Sequence, residues 1–495
     1  MILEKILEST NEYILQIPKS ERKHIGQFFT SKNTAMYMAS LFKIPMNKTE
    51  LSILDAGAGT GILACVLIER LVQENYTGKI NLDCYETDEN TLVSLRNNLK
   101  FLKASIPNDF SFYVFDTNYI TSQALDFNNL LGRNPDLRKY DMIIGNPPYK
   151  KISKDAPEAI AMPSVCYGAP NLYFLFTAMN IFHLAPSGEL VVIIPRSWTS
   201  GAYFERFRHY LLSNSVIERI HLFSSRDKVF DTERILQETV ILKAIKTDAV
   251  PSTMTISASA SSTDFHKQDV LTLPYDTAVT SNERYIFLPT NDYELEVVTR
   301  IRRFPQTLLS LGLRMKTGLT VDFRCEALLS DKPETGTVPL FYSQHIQSGY
   351  VQFPISKDKE YIRTQKAGFL QKNKNYLFIK RFTAKEEMRR LQCGIYLANN
   401  YPKYREISTQ NKINFIDKAD GEMSDELVYG LYALFNSKLY DTYYRIMNGS
   451  TQVNSSEFNT IPIPDIDTIT AIGHKLLIKG DLSEESCDQI LEVLL

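Results

Sequence analysis

Leu51-Ser52-Ile53-Leu54-Asp55-Ala56-Gly57-Ala58-Gly59-Thr60-Gly61 decides the fold. Leu51 to Leu54 are a short apolar run of the kind that becomes a buried parallel strand. Beyond the glycines, Ile62, Leu63, Val66, Leu67 and Leu71 recur at helical spacing. Strand, glycine-rich turn and helix therefore follow one another. Glycines at such a turn let the backbone approach a ligand closely and take dihedrals closed to a side chain. A dinucleotide fingerprint reads G-x-G-x-x-G. Here the third glycine comes one residue early, at Gly61, and Ile62 takes the expected place. That spacing disfavours a pyrophosphate and suits a ligand with an amino-acid tail, such as S-adenosyl-L-methionine.

Three more strand ends carry polar groups. The run Ile80 to Tyr85 leads into Glu86, with Asp88 two residues on. A carboxylate at the end of a second strand can accept from ribose hydroxyls. Phe112 to Phe115 lead into Asp116, which can accept from an adenine amino group. Either acid, taken singly, also suits a solvated strand end or a helix cap. Asp141-Met142-Ile143-Ile144-Gly145 runs into Asn146-Pro147-Pro148-Tyr149. Asparagine offers an acceptor oxygen. Pro147 stiffens the backbone, brings no donor, and has a carbonyl that is a second acceptor. Tyr149 offers a flat face for stacking. Two acceptors and a platform describe a pocket for a planar, amino-bearing substrate such as adenine. An ordinary strand-terminating turn uses the same residue types, but four such strand ends in one domain argue for a site.

The alternation continues with an apolar helix at Leu172 to Leu184 and strands at Gly188 to Pro195 and Val240 to Ile245. The fold class expected for residues 50 to 245 is α/β, a doubly wound, mainly parallel sheet. A chain of 495 residues has room for two or three domains. Hydrophobic content of 44%, charged content of 23% and a net charge of -2 are those of an ordinary globular protein. Six scattered cysteines lack metal-ligand spacing and suggest no disulfide framework. No metal site is expected, and neither a signal-peptide core nor a membrane-length apolar run is visible. These features point to a reducing, cytoplasmic setting.

At this point the residues resemble the gamma class of adenine-specific DNA methyltransferases of restriction–modification systems, the TaqI-like group. Gly26-Gln27-Phe28-Phe29-Thr30 resembles the N-terminal cofactor motif of that class, which implies cofactor roles for Gln27, Phe28 and Thr30. Asp55 to Gly61 resembles the main cofactor loop, Glu86 the ribose-binding acid and Asp116 the adenine-binding acid. Asn146 to Tyr149 matches the catalytic tetrapeptide in full. Asn171-Leu172-Tyr173 with its helix, and the strand into Pro195-Arg196-Ser197-Trp198, resemble the next two blocks. Lys228-Val229-Phe230 resembles the block whose phenylalanine packs on a flipped base, although a phenylalanine beside a valine equally suits a core. The order, cofactor segments first and a large remainder last, defines the class. The resemblance implies the class I S-adenosyl-L-methionine-dependent methyltransferase fold, methyl transfer to the 6-amino group of a flipped-out adenine in duplex DNA, and a bacterial or archaeal source. It is compatible with a companion restriction endonuclease acting on the same site and with a monomer.

Residues 246 to about 290 change in composition, and Ser252 to Thr263 is rich in serine and threonine. The boundary is expected here, giving a cofactor-binding catalytic domain at 1–245 and a mixed α+β target-recognition domain at 246–495. Short β-type runs at Val338 to Tyr342 and Tyr376 to Ile379 support the mixture. Lysines and arginines gather from Lys357 to Arg390, with Tyr361, Tyr376 and Phe382 among them. Charge runs are usually solvated faces, yet beside a base-modifying domain these residues suit DNA phosphates. Lys372, Lys374, Lys380, Arg381 and, in a polar loop near the C-terminus, Asn454 are the DNA-binding candidates. An amphipathic helix is expected through Val428, Leu431, Leu434, Phe435 and Leu439. Two other readings remain open: an N-methyltransferase acting on protein glutamine or an RNA base, and a DNA-specificity module with a vestigial catalytic domain.

Overall fold

The computed structural model describes residues 2–16, 30–130, 132, 134, 136–223, 238–384 and 387–495. The chain forms two compact units, Met1–Asn291 and Asp292–Leu495. Gln27, Phe28 and Phe230 lie outside the described residues.

The first unit is built on a nine-stranded sheet of order β3-β2-β1-β4-β5-β7-β6-β8-β9. Its strands are β1 (Glu50–Ala56), β2 (Lys79–Tyr85), β3 (Phe110–Phe115), β4 (Tyr140–Gly145), β5 (Leu184–Pro195), β6 (Val216–Phe223), β7 (Thr239–Ile245), β8 (Thr253–Ser259) and β9 (Asp269–Pro274). Strands β3, β2, β1, β4 and β5 pair in parallel, and β7 runs antiparallel between β5 and β6. The central strands are apolar along their length because both faces are covered: Leu51, Ile53, Leu54, Ile143, Ile144 and Leu190 to Ile194 have no exposed surface. Helices α1 (Ile2–Gln16), α2 (Lys32–Ser40), α3 (Ile62–Gln73), α4 (Glu89–Ser105), α5 (Leu172–His183) and α6 (Glu205–Asn214) complete the unit. The mainly parallel α/β sheet is as expected. All six cysteines are buried and unpaired.

The boundary expected after residue 245 falls inside this unit. Strand β8 pairs in parallel with β6, and β9 lies antiparallel to β8. Thr253–Ser259, within the hydroxyl-rich stretch where the boundary was expected, is an inner strand of the sheet. Met254, Ile256 and Ala258 are buried, and the alternate serines meet a buried histidine. His221 Nδ1 lies 2.9 Å from Ser257 Oγ and Nε2 lies 3.0 Å from Ser259 Oγ. Burial pushes the His221 imidazole down to about 3. Composition suggested a domain boundary; with its hydroxyls satisfied, the segment is a strand of the first unit.

The second unit holds a six-stranded and a five-stranded sheet. Its elements are α7 (Asp292–Ile301), β10 (Leu313–Thr317), β11 (Leu329–Ser330), β12 (Thr337–Phe341), β13 (Ile346–Gln347), β14 (Tyr350–Val351), β15 (Tyr361–Arg363), β16 (Gln371–Lys372), β17 (Tyr376–Lys380), β18 (Cys393–Tyr396), β19 (Glu406–Thr409), β20 (Ile413–Lys418), α8 (Asp425–Phe435), α9 (Lys438–Met447), α10 (Ile466–Lys479) and α11 (Glu484–Leu494). The sheet orders are β10-β20-β17-β18-β14-β13 and β11-β15-β12-β19-β16. The single amphipathic helix expected around residue 434 is two helices. Ser437 caps the second by accepting from Tyr440 N. The first is buried all round, from Leu427 to Phe435, rather than along one face. No helix among the described residues is long and apolar enough to cross a membrane.

Candidate active site

The polar strand ends converge because β2, β1 and β4 run in parallel and finish at the same edge of the sheet. Gly57, Gly59, Glu86 and Asn146 line one cleft of about 440 Å³, with Thr30 beside them. That volume suits a small organic ligand.

The turn after β1 needs its glycines. Gly57 and Gly61 have φ of +76° and +86°, and a Cβ on Gly61 would stand 2.8 Å from Leu95 Cδ1 in α4. The turn's amides are committed inward. Gly57 N and Ala58 N donate to Tyr85 O at 2.8 and 2.9 Å, and Gly61 N donates to Ala58 O at 2.9 Å. Gly59 N donates to Glu86 Oε2 at 3.0 Å. A phosphate cradle instead aims its amides at the ligand. The geometry therefore agrees with the glycine spacing in rejecting a pyrophosphate.

Two carboxylates flank the turn. Asp55 is fully buried. Its Oδ2 accepts from Ala64 N at 3.3 Å, and its Oδ1 has no hydrogen-bond partner among the described residues. Burial pushes the Asp55 carboxyl up to about 7; the Ala64 amide opposes this, and the nearby Glu86 charge adds to it. Glu86 accepts from three backbone amides: Thr87 N at 2.7 Å, Asp88 N at 2.9 Å and Gly59 N. Burial raises its carboxyl as well. A carboxylate has about four acceptor positions, so Glu86 keeps room for one further donor. Glu86 lines the cleft with an acceptor position to spare and fits a ligand carrying hydroxyls, whereas Asp55 lies buried behind the turn and outside the cleft lining.

Asn146 Nδ2 donates to Thr30 Oγ1 at 3.1 Å. Tyr149 donates from its hydroxyl to Ile193 O at 3.0 Å, and its ring meets Tyr173 edge-on, centroids 6.2 Å apart. The tyrosine is held at its tip by β5, and burial raises its hydroxyl pKa. Asp116 is not brought into the cleft lining: its side chain is 64% exposed and lies 3.4 Å from Arg96. The group that lines the cleft after β3 is Asn118, whose Nδ2 donates to Glu158 Oε1 at 2.8 Å. Sequence reading missed Asn118, Glu158 and Phe176, which also lines the cleft. It missed α1 too. Thr10 Oγ1 lies 2.8 Å from Thr60 Oγ1, and Tyr13 donates to Asp88 Oδ1 at 3.0 Å. The helical spacing of Leu3, Ile6, Thr10 and Tyr13, all buried, was the available signal.

The DNA-binding candidates of the second unit are mostly engaged. Lys374 pairs with Asp417 at 2.6 Å. Arg381 donates to Asn411 O at 3.1 Å and to Gln452 Oε1 at 3.3 Å. Asn454 Nδ2 donates to Glu457 Oε1 at 3.1 Å. Lys372 is exposed and Lys380 half-buried at the end of β17.

A parallel sheet with a glycine turn after β1, an acid after β2 and Asn-Pro-Pro-Tyr after β4 defines a class I S-adenosyl-L-methionine-dependent methyltransferase. Comparison with known proteins agrees. Residues 60–230 match the family model "Eco57I restriction-modification methylase". The chain is 34% identical to the type II methyltransferase M.BsuBI of Bacillus subtilis, over 99% of this chain and 98% of that one. It is 30% identical to the type II methyltransferase M.PstI of Providencia stuartii, over 99% and 96%. The type IIL restriction–modification enzyme MmeI, solved in complex with DNA, shares the fold at a TM-score of 0.56 and 13% identity, over 99% of this chain and 73% of that one. The chain belongs to the type II methyltransferase family of restriction–modification systems. Its methyl donor is S-adenosyl-L-methionine.

Proposed function

We propose that this protein methylates the 6-amino group of adenine at one short sequence in duplex DNA, as the modification enzyme of a restriction–modification pair. The observation that carries the reading is the place of Asn146, at the end of β4, in the same cleft as the glycine turn and Glu86. Gly57, Gly59, Asp55, Glu86 and Asn118 would hold the cofactor. When bound, S-adenosyl-L-methionine supplies the methyl group as an electrophile on a sulfonium.

The amino nitrogen of adenine is a weak nucleophile, because its lone pair is delocalised into the ring. Donation of Asn146 Nδ2 to Thr30 sets which end of the amide accepts. Asn146 Oδ1 and Pro147 O would take both amino hydrogens, favour a tetrahedral nitrogen and free the lone pair. Positioning and charge redistribution of this kind supply most of the acceleration. The target nitrogen lies inside the base stack, so the nucleotide must be flipped out. Tyr149, anchored at Ile193, would be the platform for it, a contact of about 1–3 kcal/mol. We assign recognition of the sequence to the second unit, and we place the protein in a bacterial cytoplasm as a monomer beside an endonuclease reading the same site.

The test is methyl incorporation from labelled S-adenosyl-L-methionine into unmethylated bacterial DNA, with the methylated positions mapped. Methyl-adenine confined to one short motif is expected. Asn146→Ala should lower the rate by about 100- to 1,000-fold, the scale for losing one transition-state hydrogen bond, with cofactor affinity retained. Incorporation into RNA or into a protein glutamine instead of DNA would overturn the reading.

A further inference from the structure

The segment that follows the catalytic tetrapeptide is Lys150-Lys151-Ile152-Ser153-Lys154. We propose that Lys150, Lys151 and Lys154 grip the DNA backbone phosphates flanking the nucleotide whose base enters the cleft. This rests on the reading that duplex DNA is the substrate.

Charge sets this segment apart. Several cations elsewhere in this unit meet carboxylates, as in Lys43 with Glu218, Lys48 with Asp141, Lys79 with Glu50 and Arg138 with Asp83, and others meet backbone carbonyls, as in Lys139 with Phe182 and Arg206 with Cys166. Among the described residues none of the three lysines is in an ion pair. Of the acids that follow, Glu158 is engaged by Asn118, and Asp155 is exposed. Three lysines within five residues, with no carboxylate paired to any of them among the described residues, leave this rim positively charged and suited to an anion.

Position sets it apart as well. Lys150 lines the cleft together with Asn146 and Pro148. The backbone there is tied down. Leu172 N donates to Lys150 O at 2.8 Å, Ile152 N donates to Pro170 O at 2.8 Å, and Lys151 bridges Asn171 in antiparallel fashion. Alternation along this short ladder sends neighbouring side chains opposite ways: Lys150 goes to the cleft, and the Lys151 ammonium sits 5.9 Å from the Tyr203 ring centroid. Lys151 and Lys154 are exposed. A base that reaches Asn146 brings its own sugar and phosphates to this rim. Lysine binds phosphate as a mobile point charge without reading sequence. The segment would thus hold any flipped nucleotide at the cleft and leave the choice of sequence to other residues.

The test measures DNA affinity against salt for the parent and for Lys150→Gln/Lys151→Gln/Lys154→Gln, using a short duplex containing the mapped methylation site. Cofactor affinity by calorimetry reports folding. Each lost phosphate contact should make the log–log salt slope shallower by about 0.9. The triple variant should therefore differ by about 2 to 3 and bind at least tenfold more weakly at low salt, with cofactor affinity retained. If the triple variant loses the cofactor, the exposed pair Lys151→Gln/Lys154→Gln decides, with an expected slope change of about 2. The same duplex with neutral methylphosphonate linkages beside the target adenine should weaken the parent and leave the variant unmoved. A variant with the parent's slope, beside a parent that binds and methylates the duplex, overturns the inference alone. A parent that neither binds nor methylates DNA overturns the reading on which it rests.

Discussion

Two basic stretches of this chain look alike as sequence and differ as structure. Between Lys357 and Arg390 most described cations are consumed internally. Lys359 pairs with Glu326, Arg363 with Glu334, Lys374 with Asp417 and Arg389 with Glu484. Arg390 is buried, donating to Asn448 Oδ1 at 3.0 Å and Ser450 O at 2.7 Å. Between Lys150 and Lys154 no ion pair occurs among the described residues. A count of positive charges cannot tell the two apart, because what matters for a phosphate is whether a carboxylate or carbonyl already holds the cation.

The comparison can be broken at its most buried point. Arg390→Leu would remove the guanidinium donor from Thr383 O and Ser450 O and one of the donors to Asn448 Oδ1. It should destabilise the protein by about 3 kcal/mol, read as a lower urea midpoint. An unchanged midpoint would mean that the second stretch is less committed than its geometry indicates.

The glycine turn has a buried acid at its base, and pH separates it from the rest. The Asp55 carboxyl is raised in the folded state to about 7, above an unfolded value of about 3.9. A raised acid stabilises the fold fully below the unfolded value, and that contribution is lost as pH rises through the folded one. Asp55→Asn lacks this dependence. Its stability relative to the parent should climb by about 1 kcal/mol per pH unit between pH 5 and 7, and level off above. Urea titrations at each pH check this, and a flat difference would show that Asp55 is charged throughout.

A smaller effect is expected at Thr30. Thr30→Val removes the partner of Asn146 Nδ2, a hydrogen bond worth about 1 kcal/mol. The turnover number should fall by about five- to tenfold, with the DNA dissociation constant unchanged and Thr30→Ser restoring the rate. A rise in KM for DNA with turnover intact would instead make Thr30 a binding residue. Smallest of all, Lys359→Gln/Arg363→Gln should leave the salt slope for DNA where it is, since both cations already face carboxylates. A shallower slope in that variant would erase the contrast between the two stretches.

Several features were legible in the residues themselves. Apolar strands feeding glycines or acids predict the parallel sheet, because burial on both faces demands continuous hydrophobic runs. Glycine spacing disfavours a pyrophosphate, and the amides of Gly57, Ala58, Gly59 and Gly61 are turned inward in keeping with it. Composition misled at Thr253–Ser259, where hydroxyls are paired with a histidine that is distant in sequence. At the end of β3 the strand-end reading singled out Asp116, and the residues that line the cleft there are Thr117, Asn118 and Tyr119.

What the sequence by itself determined is local and periodic: the strand–turn–helix opening, the order of strand ends, and a tetrapeptide whose atoms suit an amino group. Only the tertiary structure decided which polar groups remain available. Asp55 keeps an oxygen without a partner among the described residues, while Lys374 and Arg390 are spent within their own unit. The physical reason is that availability depends on partners far away along the chain, such as Asp417 for Lys374, and no local pattern encodes such a meeting.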